Sequence, residues 1–439
     1  MKEKQINIIG AGLAGCEAAW QLAIRGIKVK LFEMKPKRFS PAHKSEKLAE
    51  LVCSNSLRSN QLTSAVGILK EEMRMANSLI IKAADNTKVP AGKALAVDRE
   101  AFSSYITEKV SKNPNIELVR EEITSIPSEG ITIISTGPLT SESLSKSLRE
   151  IIGEDYLHFY DAIAPIVLAD SINMNIAFKA SRYESGDNEE GDYINCPLTK
   201  EEYDRFVTEL LKAKKVPLKD FEKAAYFEGC LPIEVMAERG PETLRFGPMK
   251  PVGLKDPRTG ETPYAVVQLR MEDKEGTMYN MVGFQTKLTY PEQKRIFRLI
   301  PGLENAEFIR LGSIHRNTFV CAPKVIDETL KLKNIPNIFL AGQISGVEGY
   351  VESTAMGFIA AINVWQIINN KKLVIPPKTT AHGALIHHIS KANPKTFQPM
   401  NVNFGLFKRL NKKLPKRQRA NFYASRAIED WGAFLKQIQ

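Results

Sequence analysis

The sequence lacks the features that would place it in a membrane, in an oxidising compartment or around a structural metal. Its five cysteines (Cys16, Cys53, Cys196, Cys230 and Cys321) are odd in number, scattered and never spaced as CxxC. That excludes a disulfide framework and a zinc ribbon, and it counts against a dithiol flavin reductase. Reduced thiols in a cytoplasm are expected instead. The longest apolar stretch, Gly357 to Ile368, is interrupted by Asn363 and falls short of the roughly 20 residues that span a bilayer. The opening MKEKQ runs straight into an apolar strand pattern, so no secretory leader and no membrane partner are expected. Histidine is scarce, six in 439 residues. His382, His387 and His388 lie together without cysteine or acidic companions, so no metal is expected there.

The most telling absence is of acid. From Ser353 to Ile428, 76 residues hold no Asp or Glu but thirteen Lys and Arg, more than the whole net charge of +11. A near-neutral body with a basic end points to a polyanionic partner. Inside that stretch, NFGLFKRLNKKLPKRQRANFYASR interleaves Phe404, Phe407, Phe422 and Tyr423 with seven cations between Lys408 and Arg419, among them Lys412, Lys413, Lys416 and Arg417. Cations neutralise phosphates and aromatic rings stack on bases, so RNA or DNA is the expected partner, with an ordinary solvated face as the alternative.

What is present begins at Ile6. INIIGAGLAGCEAAWQLAIRGIKVKLFE reads as a strand, a glycine turn, a helix and a second strand ending in an acid. Gly10 permits the turn, Gly12 lets backbone approach a pyrophosphate, and Gly15 lets helix and sheet pack closely. Ala11, Leu13 and Ala14 complete the turn, whose free N–H groups open a helix N-terminus toward an anion. Glu33, 18 residues beyond Gly15, is placed to accept from ribose hydroxyls. A strand ending in Thr136-Gly137-Pro138 brings a further glycine to the same edge. The motif recurs in NIFLAGQISGVEGYVESTAMGF, where Gly342 and Gln343 follow a strand and a helix starts near Gly349. Two helix N-termini fit an elongated dinucleotide, which favours FAD over NAD as the held cofactor.

The expected fold class is α/β: a Rossmann-like FAD-binding fold of the glutathione-reductase type, with an inserted α+β domain and a basic helical C-terminal tail. The pattern changes near Tyr156, where Pro- and Gly-punctuated strands suggest an insertion with a mixed sheet. The first fold resumes around Ala306–Thr318. The expected division is therefore 1–155 and 311–370 for the FAD-binding domain, 156–310 for the insertion, and 371–439 for the tail. In the tail, Trp431 and Phe434 are expected to fold back onto the body.

Two cysteines sit in constrained contexts, Cys53 in LVCSNSLRS and Cys230 in YFEGCLPIEVMAERG. Either is a candidate exposed thiol or a small buried hydrophobe. Cys16 reads as packing. His315, in GSIHRNTF, is either a satisfied structural histidine or a ring that stacks on a ligand.

With these motifs in hand, the chain resembles the folate- and FAD-dependent tRNA (uracil-5-)-methyltransferases, relatives of the FAD-dependent enzymes that modify tRNA wobble uridine. The likeness runs over essentially the whole length. It is carried by IIGAGLAGCEAAW, ELVCSNSLRS, ALAVDRE, YFEGCLPIEVMAERGPETLRFGPMKPVGL, IHRNTF and LAGQISGVEGYVESTAMG. The blocks around Cys53 and Cys230 are the specific ones, and the opening fingerprint alone would fit many flavoproteins. The resemblance implies methylation at C5 of the T-loop uridine of tRNA, with methylenetetrahydrofolate as one-carbon donor and NAD(P)H as reductant. It implies Cys230 as the nucleophile at uracil C6, Cys53 as a second reactive thiol and candidate base, and His315 as the ring stacking the pterin. A relative that acts on ribosomal RNA is expected to lack the first cysteine, and the wobble-uridine enzymes carry a longer C-terminus than this chain, which stops at Gln439. The same chemistry on ribosomal RNA, or a non-catalytic FAD-containing RNA-binding protein, are the alternatives. No protein partner is evident.

Overall fold

A computed structural model describes residues 5–153, 157–182, 191–217, 231–410 and 415–438. Its centre is a five-stranded sheet in the order Ile338–Leu340, Ile131–Ile134, Ile6–Ile9, Val29–Phe32, Ile116–Val119, with every pair parallel. Ile6–Ile9 is buried along its whole length, as a central parallel strand covered on both faces must be. Successive strands fall on opposite sides of it, so the chain reverses direction at its carboxyl end. In open α/β sheets that crevice is where ligands bind.

The helix Leu13–Ala23 leaves the first strand and packs against Tyr350–Ile368. Tyr350–Ile368 has the length and apolarity to cross a membrane, but 83% of its apolar window is buried inside the protein, so it is a core helix. The contact depends on Gly357: a Cβ added there would lie 2.2 Å from the Ala14 carbonyl oxygen. Backbone cannot yield as a side chain does. Gly357→Val should therefore cost roughly 3 kcal/mol through overpacking, read as a lowered midpoint in urea unfolding. An unchanged midpoint would remove the close contact from the account.

A second buried cluster is built on a six-stranded sheet ordered Phe178–Lys179, Tyr193–Leu198, Ala265–Met271, Met278–Met281, Ile166–Leu168, Phe308–Arg310. One expectation needs correction here. All described pairs in this sheet are antiparallel rather than mixed. Short apolar runs carry no information about strand direction, so only pairing decides it. Phe308–Arg310 also belongs to this sheet, paired with Ile166–Leu168, which agrees with an insertion running to residue 310 and narrows the point where the first fold resumes to beyond it. Helix Lys200–Lys212 covers this cluster and opens with a capping box between Thr199 and Glu202. The two units are joined by an antiparallel ribbon of Leu157–Ala162 and Ile314–Phe319.

The C-terminal helix Lys416–Gln437 lies against helix Ala65–Met75. Trp431 is fully buried there, and its Nε1 donates to the Glu72 carbonyl at 2.6 Å. Its ring stacks on His382 with centroids 4.1 Å apart. The Glu72 carboxylate in turn lies 2.6 Å from His382 Nδ1 and accepts from the amides of Ala381 and His382, which start the next helix. His382 is thus a packed structural group. Among the expected base-stacking rings, Phe404, Phe407 and Tyr423 pack on one another, whereas Phe422 is half exposed.

Candidate active site

The carboxyl ends of the parallel strands border a cleft that is open to solvent and encloses about 150 Å³. Gly10, Ala11, Gly12, Leu13, Ala14, Glu33, Gly137, Gly342 and Gln343 all line it. Gly10 is at φ +99°, and a Cβ there would meet Thr136 Cα at 2.7 Å. A Cβ on Gly15 would fall 1.8 Å from the Gly10 carbonyl oxygen. These two glycines let the turn fold against the sheet. Gly12 and Gly137 differ, with nothing within 4 Å of where a Cβ would project. That space is the cradle an anionic ligand needs. Gly12 also caps Leu13–Ala23 with no side-chain bond, leaving the first-turn amides for a ligand.

Glu33 is 7% exposed and lines the same cleft. Its Oε2 accepts from the Ala11 amide at 3.1 Å and its Oε1 from the Lys35 amide at 3.0 Å, which holds the carboxylate against the glycine turn. At the second turn, Gly342 at φ +78° starts a short 3-10 turn, Gln343–Ser345, that separates the strand from the helix. The Gln343 amide donates to the Glu348 carboxylate at 3.0 and 2.9 Å. The residues present therefore fit the phosphate-bearing part of a dinucleotide.

Cys53 stands beside this cleft, half-buried, with Val52 and Tyr350 both on the lining. Tyr350 opens the core helix Tyr350–Ile368, and its hydroxyl accepts from the Cys53 amide at 2.9 Å and donates to the sulfur at 3.2 Å. Burial, reinforced by the nearby Cys53, pushes the Tyr350 phenol well above its ordinary range, so it remains a donor. Three arginines surround the same loop: Arg99, Arg270 and Arg310. None of them, nor Tyr350, stands out in the sequence. Arg58, the cation closest to Cys53 along the chain, turns instead to the buried carboxylate of Glu352. Cys16 is fully buried, and desolvation drives its thiol far upward, the behaviour of a packing residue. The buried Cys196 thiol is likewise pushed to about 12 by burial.

Cys230, Lys412 and Lys413 lie outside the described residues. His315 is on strand Ile314–Phe319, paired with Asp161, but its side chain is not among those described; the same holds for the side chains of Lys416 and Arg417 at the start of the tail helix. Among the described residues no group of three or more His, Cys, Asp or Glu is placed to hold a metal ion.

A family model described as Glucose inhibited division protein A matches residues 5–372. A protein from Geobacter sulfurreducens named Methylenetetrahydrofolate--tRNA-(uracil-5-)-methyltransferase TrmFO is 60% identical over 433 residues, 99% of each chain. Proteins of the same name from Acetivibrio thermocellus and Geotalea daltonii are each 61% identical, over 97% and 100% of each chain. Among solved structures, Aquifex aeolicus GidA in its form II crystal superposes with a TM-score of 0.73 at 16% identity, covering 99% of this chain and 73% of that one. The form I crystal gives 0.72 at 17%. At that identity the likeness concerns the fold.

Proposed function

Because the chain belongs to the TrmFO family of methylenetetrahydrofolate--tRNA-(uracil-5-)-methyltransferases, within the wider family of Glucose inhibited division protein A, we propose that it methylates C5 of the T-loop uridine of tRNA. FAD is its cofactor, methylenetetrahydrofolate its one-carbon donor and NAD(P)H its reductant, and the reaction takes place in the cytoplasm. The observation that carries this reading is the placement of Cys53, gripped by Tyr350 at the edge of the cleft that the glycine turn lines. Residues 1–155 and 311–370 serve as the FAD-binding domain, 156–310 as the insertion and 371–439 as the basic tail.

The FAD pyrophosphate would rest on the first-turn amides beside Gly12, and Glu33 would hold the ribose hydroxyls. When bound, the flavin supplies the electrons that reduce the transferred methylene to a methyl group. Uracil C5 becomes nucleophilic only after a nucleophile adds at C6, and the Cys230 thiolate makes that bond. Once C5 carries the one-carbon unit, Cys53 removes the C5 proton, with the Tyr350 hydroxyl steadying its sulfur, and the Cys230–C6 bond breaks to return the thiolate and the C5–C6 double bond. His315 stacks the pterin.

An assay on tRNA lacking its T-loop methyl group tests the reading, with folate and NADPH omitted in turn and a ribosomal RNA fragment as the competing substrate. Turnover on tRNA that needs both cosubstrates is expected. Turnover on the ribosomal fragment alone would move the target, and flavin and RNA binding without turnover would favour a non-catalytic role.

The tail contributes to affinity. Replacing Lys412, Lys413, Lys416 and Arg417 with Ser should weaken tRNA binding and flatten the log–log salt slope by about 3, near 0.7 to 0.9 per neutralised phosphate. Flavin content should stay constant. An unchanged slope in filter binding would leave the tail a solvated surface.

A further inference from the structure

Cys53 belongs to the first domain, yet much of what holds its loop comes from the second. Its carbonyl oxygen accepts from Nη2 of both Arg99 and Arg310 at 3.2 Å, and Arg310 Nη1 reaches the Val52 carbonyl at 3.1 Å. Arg99 also bonds the Leu51 carbonyl and pairs with Glu272. Arg270 donates to Ser54 Oγ at 2.8 Å and to Asn55 Oδ1 at 2.9 Å. Arg99 opens a helix of the first domain. Arg270, Glu272 and Arg310 come from the antiparallel sheet, on or just beyond Ala265–Met271 and Phe308–Arg310.

Carbonyl oxygens can be satisfied by neutral donors, so hydrogen bonding alone does not call for three guanidinium groups. Their burial is costly. Arg270 is 7% exposed and Glu272 3%, and Arg310 Nε is buried without a partner. Desolvation lowers Arg310 to about 10, which still leaves it cationic at neutral pH. Three cations face one carboxylate, a surplus of positive charge. The Cys53 side chain lies within electrostatic reach of each of the three arginines. The other ionisable groups described near this loop are the Tyr350 phenol, Tyr193 opposite Arg270, and the Arg58–Glu352 pair; Glu50, on the same stretch, is engaged by Lys35.

We propose that Arg99, Arg270 and Arg310 are positioning residues that place the Cys53 sulfur in a positive field favouring its thiolate, with Glu272 limiting that field, so that the thiol is activated by docking of the second sheet on its loop. The proposal rests on the reading of Cys53 as a reactive thiol. It differs from simple bracing in sign. Neutralising an arginine must weaken the thiolate and neutralising Glu272 must strengthen it, whereas loss of a brace acts in one direction.

The test uses the full-length flavoprotein carrying Cys230→Ser. Iodoacetamide labelling of the Cys53 peptide is followed by mass spectrometry between about pH 6 and 9, where thiolate fraction sets the rate. Arg310→Gln should slow labelling about tenfold at neutral pH and move its pH profile upward, a shift of about one unit. Arg310→Lys should restore most of the rate, and Glu272→Gln should raise it above the parent. Flavin absorbance monitors the fold. If Glu272→Gln slows labelling as Arg310→Gln does, or if neither changes the pH profile, the cluster only braces the loop and the proposal fails. Should Arg310→Gln not fold, the sign of the Glu272→Gln effect decides alone. Labelling needs no tRNA, so failure of the methyltransferase reading would appear separately, as absent turnover with this pattern intact.

Discussion

Cys230→Ala is expected to keep its flavin and its fold, to lose methylation by roughly a thousandfold or more, and to form no covalent adduct with 5-fluorouridine-substituted tRNA. Fluorine at C5 cannot leave as a proton does, so an enzyme that has added to C6 stays attached to its RNA. Without the attacking sulfur there is no bond to trap. Cys53→Ala should also lose turnover, yet should still allow the adduct, because C5 deprotonation follows addition. The surroundings of Cys53 make this variant informative. Tyr350 would lose one acceptor while keeping its bond from the residue-53 amide, and the two arginines bind the backbone carbonyl, which alanine retains. The loop should therefore hold its shape. Both outcomes are read on one denaturing gel. An adduct that survives Cys230→Ala and disappears in Cys53→Ala would exchange the two roles.

Gly12→Asp should yield a folded, colourless protein. The added Cβ meets no protein atom within 4 Å, so thermal unfolding should stay close to that of the parent stripped of flavin. The carboxylate would instead stand where the pyrophosphate must lie, at the uncapped N-terminus of Leu13–Ala23. Like charges set together in a desolvated site cost several kcal/mol, which lowers flavin affinity by about a hundredfold or more. Gly15→Ala serves as the contrast. Its Cβ would lie 1.8 Å from the Gly10 carbonyl oxygen, so it should damage the turn and the fold together. A yellow Gly12→Asp protein with full FAD content would overturn the placement of the pyrophosphate.

The glycine spacing of the opening stretch, the acid at Glu33 and the acid-free tail were legible in the chain because each encodes a local backbone conformation or a summed charge. The cleft needs little more than those local rules, since a strand, a turn and a helix N-terminus build most of its wall. The setting of Cys53 is different. Arg99, Arg270, Glu272, Arg310 and Tyr350 come from distant parts of the chain and share no periodicity with it. They meet only because an antiparallel sheet, whose strand directions no residue pattern announces, docks against the parallel one. Likewise the tail shows its charge in composition, but stacking of Trp431 on His382 over Glu72 turns part of it inward. Local sequence determined where an anion can bind and which segments carry charge. Tertiary packing decided which side chains touch Cys53, because burial brings together groups that the chain keeps far apart.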